Sequence, residues 1–161
     1  MRCDAKKFAQ MYEEIYKDLY RFALCRMRNV QDAEDAVSES VLAAYENIHK
    51  LQKEAAFKSW MFVILANKCR KKLKESGDRQ KREEGGLGNL PEASKETLDY
   101  GIALDVKKAF LILSPEEQEI IALSVFGGYN SREIGSVLNL NPNTVRSKRS
   151  RALEKMEYIL E

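Results

Sequence analysis

Between residues 114 and 142 the chain carries three helix-start signals, spaced so closely that only short helices fit between them. Ser114-Pro115-Glu116-Glu117 has the spacing of a capping box. The serine hydroxyl can accept from the amide three residues on, and the Glu117 carboxylate can reach back to the Ser114 amide. Pro115 falls at the first helical position, where a missing N–H costs nothing. Asn130–Glu133 repeats this spacing with asparagine as the cap, and Asn141-Pro142 opens a last helix in the same way. Only Asn139-Leu140-Asn141 joins the last two helices, and three residues is the length of a helix-turn-helix. Asparagine at 139 tolerates the left-handed conformation that such a turn demands. Ile134, Val137, Leu138, Leu140 and Val145 are expected to bury the joint, with Gly135 as the small residue where the helices cross.

The last helix sorts into two faces. With Val145 at the centre of the buried side, Ala152 and Met156 join it. A turn of about 100° per residue then puts Asn143, Arg146, Ser147, Ser150 and Arg151 on the far side. That is the face a recognition helix presents to a major groove, where arginine pairs with guanine and asparagine with adenine. Residues 142–155 hold five basic side chains and one acidic one. Charge alone fits a solvated helix face; the capped turn and the small helix before it are what favour DNA reading.

The first half is helical as well. Phe8, Met11, Ile15, Leu19 and Phe22 recur at intervals of three and four, which makes one apolar stripe. A second helix over Asn29–Asn47 places Ala33, Ala36, Val37, Val41, Ala44, Tyr45 and Ile48 at helical spacing. Its other face is acidic, with Asp32, Glu34, Asp35, Glu39 and Glu46 and no basic residue. Such a face repels phosphate, so it is either a solvated surface or a protein-docking one. A third helix is expected from about Phe57 to Lys74, its apolar side formed by Phe57, Trp60, Met61, Ile64 and Leu65. Residues 57–74 contain six basic side chains and no acidic one. Asn67, Arg70, Lys71 and Lys74 share a face that can follow a phosphate backbone, although many surface helices carry lysines.

Residues 75–100 break the pattern with Gly77, Gly85, Gly86, Gly88 and Pro91 and few large apolar groups, a linker composition. The expected architecture is therefore all-α: a helical domain over 1–74, a linker over 75–100 and a helix-turn-helix domain over 101–161. The chain's net charge of +2 hides a division into +5, −3 and 0 over these three segments. Charge distribution thus says more than the total.

Other chemistries find little support. Cys3, Cys25 and Cys69 are odd in number and widely spaced, and His49 is the single histidine, so neither a disulfide framework nor a metal site is expected. Glu34 and Asp35 are adjacent on a helix and do not converge on one substrate. Gly85-Gly86-Leu87-Gly88 follows no strand and is not a dinucleotide fingerprint. No catalytic residue and no cofactor is assigned. The longest apolar run, Trp60–Ala66, is far short of a membrane span, and the N-terminus has no signal-peptide core. A soluble, cytoplasmic, non-enzymatic protein is expected.

The chain resembles the extracytoplasmic-function group of sigma-70 family sigma factors. The resemblance is carried by Asp32-Ala33-Glu34-Asp35-Ala36-Val37 with Glu39, by Phe57-Lys58-Ser59-Trp60-Met61-Phe62 running to Asn67, by Leu113-Ser114-Pro115-Glu116-Glu117-Gln118, and by Asn143-Thr144-Val145-Arg146-Ser147-Lys148-Arg149-Ser150-Arg151-Ala152. It covers nearly the whole chain, in the family's order. It implies that Asp32, Asp35, Ser38 and Glu39 dock on the clamp helices of the largest catalytic subunit of bacterial RNA polymerase, with the flap of the second large subunit as a further contact. It implies that the loop His49–Ala56, with Asn67, Arg70, Lys71 and Lys74, engages the −10 element. It implies that Asn143, Arg146, Ser147, Ser150 and Arg151 read the −35 element, that the linker threads the polymerase, and that an anti-sigma factor controls the protein.

Three positions depart from the family's common pattern. Asn139 stands where glycine is usual, and Gly135 stands where alanine is usual, which on propensity alone weakens that helix. Arg149 replaces a buried leucine. It lies about 40° from the centre of the inner side and is expected to snorkel outward to a phosphate, so it is not counted as a base reader. Two other readings use the same residues: a stand-alone helix-turn-helix regulator that binds DNA without polymerase, and a helical adaptor that binds only proteins. The first needs a dimer helix that the sequence does not offer, and it leaves the acidic second helix without a purpose.

Overall fold

The computed structural model describes residues 4–27, 29–83 and 104–160. The chain divides into two compact units, Met1–Glu92 and Ala93–Glu161. Among the described residues there are seven α-helices and no strand.

The first unit holds α1 (Ala5–Arg26), α2 (Val30–Asn47) and α3 (Phe57–Glu83). Asp4 caps α1 by accepting from the Lys7 amide at 2.8 Å, and Asn29 caps α2 by accepting from the Asp32 amide at 2.7 Å. The α1 stripe is buried as its spacing requires: Phe8, Met11, Ile15, Leu19 and Phe22 all face inward. Ala33, Ala36, Val37 and Ala44 let α2 lie close against its neighbours, while Val41 is half-buried and Tyr45 is exposed. On α3 the buried side is Phe57, Met61, Phe62, Leu65, Ala66 and Cys69. Trp60 and Ile64, expected inside, are half-buried. The inward direction is turned toward Phe62, which meets Phe22 edge-on with ring centres 5.7 Å apart. Phe8 meets Phe57 in the same manner at 5.5 Å. Such edge-to-face pairs add to the burial of both rings. Cys25 and Cys69 are buried inside this core.

The segment between α2 and α3 is not a plain loop. It makes 3-10 turns at Ile48–Lys50 and Glu54–Ala56, with Leu51 buried between them. The expected end of α3 at Lys74 is corrected: the helix continues through Gly77 to Glu83. A lone glycine weakens a helix by about 1 kcal/mol but does not break it, and residues 75–83 contain no proline. The first nine residues of the expected linker are therefore helical, and its remainder, 84–100, lies outside the described residues.

The second unit holds α4 (Leu104–Leu111), α5 (Pro115–Val125), α6 (Ser131–Leu138) and α7 (Pro142–Leu160). Both capping boxes form: Ser114 with Glu117 and Asn130 with Glu133 bond reciprocally, side chain to backbone. Phe110, Leu113, Ile120, Leu123, Ile134, Val145 and Ala152 make the core. Gln118 ties the end of α4 to α5 by donating to the carbonyls of Phe110 (3.2 Å) and Leu113 (3.3 Å). Ile134 and Val145 are fully buried at the helix-turn-helix joint, whereas Val137, Leu138 and Leu140 are half-buried.

Asn139 adopts φ 58° and ψ 49°, the left-handed conformation expected of it. The Asn139 and Leu140 amides both donate to the Gly135 carbonyl, the latter at 2.9 Å. The turn folds back so tightly that a Cβ on residue 135 would stand 2.5 Å from the Leu140 carbonyl oxygen. Gly135 is thus required by the approach of the turn, and its propensity cost is secondary.

Candidate nucleic-acid and docking surfaces

Helix α7 is preceded by Asn141, whose side-chain oxygen accepts from the Asn143 amide at 2.8 Å. Val145 and Ala152 seal its inner side, and Met156 is half-buried. Asn143, Arg146, Ser147, Ser150 and Arg151 are all exposed, on one face, as expected. The basic side chains of α7 are sorted by what they meet. Lys148 pairs with Glu116, and Lys155 donates to both carboxylate oxygens of Glu117 at 3.0 and 3.1 Å. These two lysines are turned back to α5. Arg146 and Arg151 remain on the outer face, and Arg149 sits half-buried at its edge. On the outer face Arg146 Nη2 donates to Asn143 Oδ1, and Arg151 Nε reaches the Ser147 carbonyl at 3.4 Å.

A similar sorting operates on α3. Lys58 pairs with Asp18 of α1 at 3.2 Å, and Lys72 pairs with Glu39 of α2 at 3.2 Å. Asn67, Lys71 and Lys74 are exposed and Arg70 is half-buried, so the four residues form a continuous face that is not shielded uniformly. Trp60 leans on Phe57 with ring centres 6.3 Å apart and keeps part of its surface in solvent.

The acidic face of α2 is intact. Asp35, Ser38 and Glu39 are exposed. Asp32 is half-buried because its carboxylate accepts from the Asn29 side chain at 3.0 Å, which fixes it in the first helical turn. There its charge suits the positive end of the helix dipole. The Tyr20 hydroxyl bonds Ser38 and Tyr12, so α1 steadies this face. Burial first, and the Glu34 carboxylate second, hold that phenol above its ordinary value of 10.0.

Two features of these surfaces were not expected. Leu42, 65% exposed, and Tyr45, 45% exposed, continue the row of Asp35, Ser38 and Glu39 along α2. The same three-and-four spacing would have found them, had Tyr45 not been counted as core. The Asn143–Arg146 bond is the other, and only the i, i+3 spacing hinted at it.

Two family models match, in this order: Sigma-70 region 2 over residues 11–79 and Sigma-70, region 4 over residues 104–156. Between them they span all seven helices in whole or part. The chain is 24% identical over 157 residues to the ECF RNA polymerase sigma factor SigM of Mycobacterium tuberculosis, covering 98% of this chain and 79% of that protein. It is 28% identical over 144 residues to the RNA polymerase sigma factor SigV of Bacillus subtilis, covering 89% and 85%. The fold is shared with the sigma factor RpoE from Bartonella quintana, solved in complex with the anti-sigma factor NepR: TM-score 0.79 at 23% identity, covering 97% of this chain and 98% of that one. Among the described residues no helix is long and apolar enough to cross a membrane. Both region models in the family's order, with relatives that match along nearly the whole chain, place this protein in the extracytoplasmic-function group of the sigma-70 family of RNA polymerase sigma factors.

Proposed function

We propose that this sigma factor divides promoter recognition between its two units and leaves all chemistry to the polymerase. Asp32, Asp35, Ser38 and Glu39 dock on the clamp helices of the largest catalytic subunit, with Leu42 as an apolar contact beside them. The segment His49–Ala56, with Asn67, Arg70, Lys71 and Lys74, captures the −10 element as its strands part. Asn143, Arg146, Ser147, Ser150 and Arg151 read the −35 duplex in the major groove, and the second unit contacts the flap. Residues 1–83, which extend the expected 1–74 to the end of α3, and 101–161 are the functional domains, and the segment between them threads the polymerase. The factor acts in the cytoplasm and is released from an anti-sigma factor, as a protein of this kind from Bartonella quintana was captured with one.

The observation that carries this reading is the separation of charge on the exposed helix faces. Acidic side chains face outward from α2, while Lys148 and Lys155 of α7 are neutralised by α5 and the arginines of its outer face are left to the solvent. An acidic face cannot approach phosphate, so it serves a protein, and the arginine face serves DNA. The test is run-off transcription by core polymerase of the same organism. Promoter-specific transcripts that need this protein are expected. A factor that neither binds core nor supports any transcript, yet shifts duplex DNA tightly on its own, would be a stand-alone regulator instead.

A further inference from the structure

Asn143 and Arg146 lie three residues apart on the outer face of α7, and the structure joins them: Arg146 Nη2 donates to Asn143 Oδ1. Sequence reasoning treats the two as separate base readers, asparagine for adenine and arginine for guanine. The bond makes them one unit. We propose that Asn143 is a positioning residue, which holds the Arg146 guanidinium at the angle from which it reads a single guanine, and does not read a base pair of its own. The proposal rests on the reading of α7 as the −35 helix.

The chemistry favours this division of labour. A guanidinium carries five N–H donors and has two edges that each present a pair of them. One Nη2 hydrogen goes to Asn143, which spoils one edge and leaves the other whole for guanine O6 and N7. Asn143, by contrast, needs its oxygen and its amide nitrogen together, in the plane of the base, to bind adenine in two places; its oxygen keeps a second lone pair, but the amide is aimed along the helix at Arg146. An exposed arginine is otherwise free to sample many rotamers, and a fixed one loses less on binding DNA.

The support beneath Asn143 makes it fit to act as a fixed post. Its own amide is anchored to the Asn141 side chain at 2.8 Å. Val145, two residues on, is fully buried. Asn141 in turn follows the left-handed turn at Asn139. A short, stiff side chain at the capped start of the helix thus holds a long, flexible one.

The experiment uses holoenzyme assembled from core polymerase and the full chain, with duplexes carrying every single substitution of the −35 element. Arg146→Ala should erase the preference at one guanine-containing pair, a loss of about 5- to 150-fold in discrimination, as expected for one bidentate contact. Asn143→Ala should weaken the preference at that same pair and at no other. The double variant should be no worse than Arg146→Ala alone. Asn143→Asp, which keeps an acceptor for the guanidinium, should restore the base preference while lowering affinity for every duplex equally, because it adds a negative charge beside phosphate. The proposal is overturned if Asn143→Ala relaxes a different base pair from Arg146→Ala and the two losses multiply in the double variant. If Arg146→Ala relaxes no pair at all, the −35 reading of α7 fails and the proposal fails with it.

Discussion

Lys155 Nζ stands 3.0 and 3.1 Å from the two carboxylate oxygens of Glu117, the residue that also accepts from the Ser114 amide at 2.9 Å. One carboxylate therefore closes a capping box and clamps the last helix to the helix it packs on. Burial by itself would raise the Glu117 carboxyl, but the bonds from Ser114 and Lys155 outweigh it and hold the group below its ordinary value of 4.5.

This arrangement sets a pH dependence. A carboxyl held low in the folded state contributes its full stability above pH 4.5 and loses it as pH falls through the lowered folded value. Glu117→Gln should cost about 1 kcal/mol at neutral pH, a modest figure because Lys155 is half exposed and its charge is screened. The gap from the parent should close below pH 4.5. Hydrogen exchange of the α5 amides, followed across that range, reads it. A gap that is the same at every pH would remove the charge from the explanation.

Gly135→Ala sets two effects against each other. Helix propensity predicts a gain of about 1 kcal/mol. The approach of the Leu140 carbonyl, 2.5 Å from the new Cβ, predicts a loss of about 1–3 kcal/mol from overpacking. The loss should win, and urea unfolding should show a less stable second unit. Asn139→Ala should also destabilise, by roughly 1 kcal/mol, since alanine has no side chain to ease the left-handed conformation.

Reversal of the α2 face should separate docking from DNA reading. Asp35→Lys with Glu39→Lys is expected to weaken core polymerase binding on the order of 100-fold, chiefly at low salt. The fold should survive, because the Glu39–Lys72 pair lies at the surface and such pairs contribute about 1 kcal/mol or less. Fluorescence titration against core, beside a circular dichroism spectrum, tests both halves. Unchanged core affinity would move the docking surface elsewhere.

Lys71 and Lys74 should act through phosphate. In holoenzyme bound to a forked −10 template, Lys71→Ala and Lys74→Ala should each lower the slope of log affinity against log salt by about 0.7–0.9, with no change in base preference. A variant that changes sequence preference and leaves the salt slope alone would mark that lysine as a base contact.

The second unit was the more legible half, because its signals are local. The caps at Ser114, Asn130 and Asn141 each fix a helix start within four residues, and all three form. The turn at Asn139 follows from what asparagine tolerates. That Asp35 and Glu39, Lys71 and Lys74, and Arg146 and Arg151 are exposed was equally legible, since each pair lies along one helix and needs only a period of 3.6. The faults lie where distant residues decide. Phe62 is inside because Phe22 of α1 meets it, and no spacing within α3 reveals that partner. The continuation of α3 to Glu83 was hidden by glycine composition, which describes a tendency of the segment and not the state of residue 77. Gly135 was read as the small residue at the helix crossing, but the atom that demands it, the carbonyl oxygen of Leu140 five residues later, was not visible from spacing.

Cys25 and Cys69 have a use that their silence in promoter recognition hides. They sit 2% and 0% exposed, on helices α1 and α3, so the core around each must open before a reagent reaches sulfur. With Cys3 replaced by serine, their alkylation rate becomes a stopwatch for the opening of the three-helix core. No added residue is then needed to time how often the first unit comes apart.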